Sequence, residues 1–148
     1  METYAMNKLQ LVLVTGLGLG LLIQLIPVNR TNPPSTGGLQ AQPAVSGLLK
    51  RACYDCHSHE TRWPWYSHVA PIAWLLAHDV KEGRDHLNFS AWTGYTTSGK
   101  NYLREKMIKE IGDGDMPPAP YAWMHREAVL SAEDLKVLKD WANAEKDR

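Results

Sequence analysis

The sequence predicts an all-α domain preceded by one apolar helix. Two observations carry this. Apolar residues after residue 45 recur at spacings of three and four, with Ser and Gly at helix starts and stops, and no run alternates with a period of two. Before them, Leu9 to Val28 reads LQLVLVTGLGLGLLIQLIPV, twenty residues without a charge. The chain has 148 residues, and Lys plus Arg balance Asp plus Glu at 16 each. That length suits a single globular domain with an accessory segment. No basic excess or Lys/Arg-rich run points to nucleic acid or to a polybasic membrane patch.

At helical rise the apolar stretch spans about 30 Å, the thickness of a bilayer's hydrocarbon core. Residues 1–28 are therefore expected to be a membrane anchor helix, with Lys8 before the stretch and Arg30 after it. Gln10 and Gln24 fall near its ends, where a polar group is cheap to accommodate. Gly16, Gly18 and Gly20 are tolerated in lipid, although their spacing is not the G-x-x-x-G dimer pattern. A cleaved signal peptide is the alternative, but Pro27-Val28-Asn29-Arg30 is a poor cleavage site. Cleavage further on, near Ala41 or Ala44, stays open. Residues 29–44, NRTNPPSTGGLQAQPA, read as a flexible Pro/Gly-rich linker with almost nothing to bury. Extended, it reaches roughly 50 Å.

Residues 45–148 form the expected helical domain. Val45, Leu48, Leu49 and Ala52 predict a helix over Val45 to Cys56. Ser67 to Lys81 predicts a second, with Pro71 in its first turns and a face of Ile72, Leu75, Leu76 and Val80. Ser90 is a candidate cap for a short segment through Trp92. Ser98 is one for a helix through Ile111, with Leu103, Met107, Ile108 and Ile111 as its stripe and Gly112 as its stop. The last helix opens at Ser131-Ala132-Glu133-Asp134 and turns Leu135, Leu138 and Trp141 inward.

Both cysteines of the chain lie in Cys53-Tyr54-Asp55-Cys56-His57, a C-x-x-C-H run. This is the attachment pattern for c-type haem. Two thiols three positions apart lie on one side of a helical turn, where both can form thioethers to one porphyrin. The adjacent His57 then becomes an axial ligand. A bare C-x-x-C also fits a redox dithiol or half of a zinc site. A structural zinc site needs a second ligand pair, which the chain lacks in cysteine, and the dithiol lacks its usual βαβ setting. One covalent haem c, through Cys53 and Cys56, is the expected cofactor, and it would supply much of the core of so small a domain. Because bacteria attach haem covalently outside the cytoplasmic membrane, this expectation also orients the anchor. It puts a single-pass chain in the bacterial inner membrane with the haem domain on the periplasmic side.

The sixth ligand is expected to be Met or His. Met116 stands in Gly112-Asp113-Gly114-Asp115-Met116-Pro117-Pro118, where prolines stiffen the loop that would hold a thioether at fixed distance. Met107 reads as core, Met124 as either. His125 is the rival, ahead of His59, His68, His78 and His86. Trp65, Tyr66 and Trp92, with Trp63, are candidate pocket walls or propionate donors, and Arg62 and Arg84 candidate propionate partners.

The C-x-x-C-H on a first helix, the Met-Pro loop and the closing helix resemble a small class I-type cytochrome c. More closely, CYDCHSHETRWPWYSHVAPIAWLLAHDVKEGRDHLNFSAW, followed by Asp115-Met116-Pro117-Pro118 with Tyr121 and His125, is similar to the bacterial haem-binding domain family. The resemblance covers most of Val45 to Trp141. It implies a membrane-anchored or exported cytochrome c-like protein with covalent haem at Cys53 and Cys56, His57 proximal and Met116 distal. Three functions follow from a haem so held. A tethered carrier of single electrons, passing them between membrane redox complexes or other electron-transfer proteins, needs six-coordinate iron and no substrate site. A peroxidase or a gas or redox sensor needs a displaceable sixth ligand. A subunit of a respiratory or photosynthetic assembly would use its haem as one link in a wire. No acid–base pair or nucleophile arrangement is evident, so the carrier is expected rather than an enzyme.

Overall fold

The computed structural model describes residues 6–146, and every regular element among them is helical. Residues 1–5 of the expected anchor and 147–148 of the expected C-terminal domain lie outside the described residues. The chain divides into two units. One takes the N-terminal residues up to Arg30 together with Trp63–His78, and the other takes Thr31–Arg62 with Asp79 onward.

In the first unit, helix α1 (Lys8–Leu22) is opened by a capping box in which Asn7 and Gln10 each accept from the other's backbone N–H. A 3₁₀ turn at Ile23–Leu25 continues it. The 18 residues from Lys8 to Leu25 are long and apolar enough to cross a membrane, and none of them is buried. The Gln24 amide closes a pair of hydrogen bonds with Ala70: Ala70 N donates to Oε1 (2.9 Å), and Nε2 donates to the Ala70 carbonyl (3.2 Å). Arg30 Nη1 donates to the Ser67 carbonyl at 3.1 Å.

The helix expected from Ser67 begins later. Trp65–His68 is a 3₁₀ turn, and α4 runs from Ile72 to His86. Pro71 lies just outside, where its missing N–H costs nothing and its carbonyl accepts from Trp74. The expected face is kept only in part, with Val80 buried as expected. Ile72 and Leu75 are exposed, while Ala73 and Val80 are buried.

In the second unit the single helix expected over Val45 to Cys56 is two. α2 (Pro43–Ala52) breaks at Cys53, whose φ of −127° is not helical, and α3 (Tyr54–His57) restarts immediately. Residues 31–42, expected as a linker, contain no helix but are tied down. Asn32 Nδ2 donates to the Thr61 carbonyl at 2.8 Å, Thr36 N to Ser90, and Leu39 N to Phe89. Leu39 and Ala41 pack against the core, so this stretch does have apolar surface to bury. A 3₁₀ segment, Phe89–Gly94, is capped by Asn88, not Ser90. α5 (Thr97–Asp113) is capped by Thr96 and stopped by Gly114. Gly114 takes φ 84°, a left-handed backbone that suits glycine, whereas Gly112 stays inside the helix. A short α6 (Ala119–Met124), unforeseen, and a 3₁₀ turn at Arg126–Ala128 lead to α7 (Ala132–Ala144).

α7 packs on α5 and α2, burying Leu138 and Trp141 with Leu49, Phe89, Trp92 and Met107. Arg104 is buried as well. Its guanidinium lies 5.4 Å from the rings of both Trp92 and Trp141 and 3.5 Å from the Glu145 carboxylate. A buried arginine is tolerable when aromatic faces and an acid replace its water.

Candidate functional site

The C-x-x-C-H turn opens onto a cavity of 410 Å³ lined wholly by the second unit. Cys53, Cys56 and His57 line it, as does Met116; Leu87, Leu103, Met107, Ile111 and Leu130 make it apolar. Four residues separated by up to 63 positions of sequence, Cys53 and Met116 at the extremes, thus share one chamber.

His57 is held by the end of α4. Its Nδ1 donates to the carbonyls of Gly83 (2.8 Å) and Leu87 (3.1 Å), which leaves Nε2 with its lone pair as the coordinating atom. Burial pushes the imidazole pKa down, so the ring is neutral, the form that ligates. Burial pushes the thiol of Cys53 up to about 12 and that of Cys56 up to about 11, with the neighbouring Cys56 and Asp55 charges respectively acting in the same direction. Both thiols are accordingly protonated, and the two are free rather than disulfide-bonded.

Gly83 explains how α4 comes so close. A Cβ at this position would meet the Cys56 carbonyl oxygen at 2.7 Å and its carbon at 3.1 Å. Only glycine lets the two backbones approach to the distance at which the Gly83 carbonyl reaches His57. A glycine inside a helical pattern was the available signal in the sequence.

Asp55, the third residue of the motif, forms a second unforeseen junction. It is buried, and Tyr121 Oη donates to its Oδ2 at 2.7 Å. Arg62 donates its backbone N–H (3.0 Å) and Nε (3.3 Å) to Oδ1, and Nη2 (3.2 Å) to Oδ2. Burial and the Asp55 hydrogen bond push the Tyr121 phenol far up, so it stays a donor. Tyr121 belongs to α6, directly after Met116-Pro117-Pro118, so this bond ties the methionine loop to the C-x-x-C-H turn. The loop's other end is fixed by the Glu110 carbonyl, which accepts from the N–H of both Asp115 and Met116.

The other expected site residues lie elsewhere. Trp92 does not line the cavity: it is buried in the core, stacked on Phe89 at 6.1 Å, because its turn drives the indole inward. Trp65 and Tyr66 do not line it either and belong to the first unit, Trp65 exposed and Tyr66 buried. Arg62 is engaged by Asp55. Arg84 makes four hydrogen bonds, to Ser58, Thr61, Thr31 and Asn32, and it is absent from the cavity wall. Of the rival ligands, His125 stacks on Tyr121 at 4.3 Å and does not line the cavity, and His59 bonds Pro34 and Asn88. His86 and Met107 do line it.

A helical unit in which a C-x-x-C-H turn and a Met-Pro loop wall one apolar cavity has the character of a haem-binding module. Residues 18–144 match the family model described as a haem-binding domain. The chain belongs to that family, and its cofactor is haem. No match was found among curated proteins or solved structures.

Proposed function

We propose that this chain is a membrane-anchored monohaem c-type cytochrome that carries single electrons. The observation that carries the reading is that Cys53, Cys56, His57 and Met116 all line one apolar cavity. Cys53 and Cys56 would hold the group through thioethers, His57 Nε2 and the Met116 sulfur would ligate its iron, and the cavity's aliphatic side chains would exclude water. The chemistry that a haem so held supplies is a one-electron couple of its iron. His57 keeps its orientation through the Gly83 and Leu87 carbonyls, and a hydrogen-bonded Nδ1–H strengthens it as a donor to metal. Tyr121 and Asp55 keep the Met116 loop against the motif.

In this reading Lys8–Leu25 spans the bacterial inner membrane, the haem domain faces the periplasm, and the partners are membrane redox complexes or other electron-transfer proteins. Met116 is 38% exposed, the one observation that favours a displaceable sixth ligand and hence a sensor or peroxidase.

Optical and low-temperature EPR spectra of the full-length chain in detergent, with and without carbon monoxide, separate the two. A low-spin His/Met signature indifferent to carbon monoxide supports the carrier. High-spin iron or ready carbon monoxide binding replaces it with the sensor or enzyme. Unchanged spectra in Met116→Ala would remove Met116 as ligand. Haem stain that survives denaturing electrophoresis in a Cys53→Ser, Cys56→Ser variant would remove the thioethers.

A further inference from the structure

We infer that the segment Trp65–Leu75 is a second membrane contact, seated in the interfacial layer of the bilayer that Lys8–Leu25 enters. The inference rests on reading Lys8–Leu25 as a membrane span. Within the first unit this segment carries a run of apolar side chains turned outward: Trp65 is 76% exposed, Val69 43%, Ile72 46% and Leu75 60%. Ile72 and Leu75 are three apart on α4 and share a face. Single exposed apolar residues are ordinary on a protein surface, but four within eleven positions form a patch that water disfavours.

The depth of the patch is fixed by Gln24. This residue is next to last in the 18-residue span, so it lies about 1.5 Å from the span's end. Its amide is engaged by both backbone groups of Ala70, at 2.9 and 3.2 Å, and by the Gly20 carbonyl at 3.1 Å. An amide at the edge of a hydrocarbon layer needs such partners, because lipid offers none. Ala70 is thereby held level with the last turn of the span, and its neighbours Val69, Ile72 and Leu75 come with it. Arg30, six residues further along, donates to the Ser67 carbonyl and so holds the same segment at a second point. Trp65 stands at the start of the segment, and an indole is the side chain that settles best between acyl chains and headgroups. An interfacial segment of this kind sinks roughly 5–10 Å into the headgroup boundary. The occupant of the patch is therefore the lipid surface, by continuity with the spanning helix.

The test uses the full-length, haem-loaded chain in lipid nanodiscs, with an environment-sensitive fluorophore on a cysteine introduced at Leu75→Cys, Leu17→Cys or Lys136→Cys in turn. Label bound by the parent chain is subtracted. Quenching is compared between aqueous iodide, a lipid quencher near the head of the acyl chain and one near its end. Expected for Leu75→Cys is severalfold stronger quenching by the shallow lipid quencher than by iodide. Leu17→Cys should respond to the deep lipid quencher, and Lys136→Cys to iodide. Iodide quenching of Leu75→Cys equal to that of Lys136→Cys, with Leu17→Cys still deep, overturns the interfacial contact alone and hands the patch to water or to a protein partner. Loss of lipid quenching at Leu17→Cys overturns the span and with it the contact.

Discussion

Replacing Gly83 with Ala sets two effects of opposite sign against each other. By helix propensity alone, Ala in the interior of α4 stabilises by about 1 kcal/mol. Against this, the new Cβ would lie 2.7 Å from the Cys56 carbonyl oxygen and 3.2 Å from the Cys56 Cβ. To reach an ordinary contact of 3.4 Å the oxygen must retreat from 2.7 Å, about 0.7 Å. Neither partner is a flexible side-chain end, so the shift falls on backbone. It also lengthens the 2.8 Å bond from His57 Nδ1 to the Gly83 carbonyl towards the limit of hydrogen bonding. Overpacking costs about 1–3 kcal/mol, and a lost buried hydrogen bond about 1 kcal/mol more. The sum exceeds the propensity gain, so Gly83→Ala should destabilise by about 1–3 kcal/mol. For a helical unit of this size each kcal/mol lowers Tm by about 4–8 °C. The measurement is thermal unfolding of the full-length chain in detergent, followed by far-ultraviolet circular dichroism. An unchanged or raised Tm would refute the reasoning, because it would mean that propensity decides and that α4 does not press on the motif.

Tyr121→Phe removes the donor to Asp55 while Arg62 remains, and it should cost about 1 kcal/mol in chemical denaturation; no loss would mean that the α6 junction is idle. Leu138→Ala, which empties a fully buried site between α7 and α5, should cost about 2–5 kcal/mol on the same assay. The Asp134 carboxylate is held down at about 2 by the Ser131 backbone N–H, by Arg51 and by the Ser131 hydroxyl. Its folded pKa is below the unfolded value of about 3.9, so its contribution is complete above that value and lost as pH falls towards about 2. Asp134→Asn should therefore be less stable than the parent at neutral pH, with the gap closing between about pH 4 and pH 2; a gap constant across that window would show that the carboxylate's charge contributes nothing.

How much of this was legible beforehand differs element by element. Ser131 with Asp134, and Leu138 with Trp141, signal the start and inner face of α7 from four-residue neighbourhoods, and the structure keeps both. The stripe of α5 is kept as well, but its stop moves from Gly112 to Gly114, since either glycine permits a turn and only one adopts positive φ. Ile72 and Leu75 show where periodicity misleads. Their spacing is that of a core face, yet they are exposed, as a face meant for lipid has the same pattern as one meant for protein. Trp65, Tyr66 and Trp92 were candidate walls by chemical type alone, and aromatic type carries no direction.

What the sequence by itself determined is whatever depends on spacing along the chain. The twenty uncharged residues, the two thiols three positions apart with a histidine beside them, and the helical class of the domain are all of this kind. Only the tertiary structure decided that Met116 and the C-x-x-C-H turn share a cavity, and that Trp92 does not line it. It also decided that Gly83 is the gap through which α4 reaches His57, and that Asp55 is a buried anchor rather than a solvated charge. The reason is physical. Helix periodicity and covalent spacing arise from bonds within a few residues, whereas these contacts join backbones and side chains 26 to 66 positions apart. Their distances are set by how closely packed helices can approach, a property of the assembled core that no local window contains.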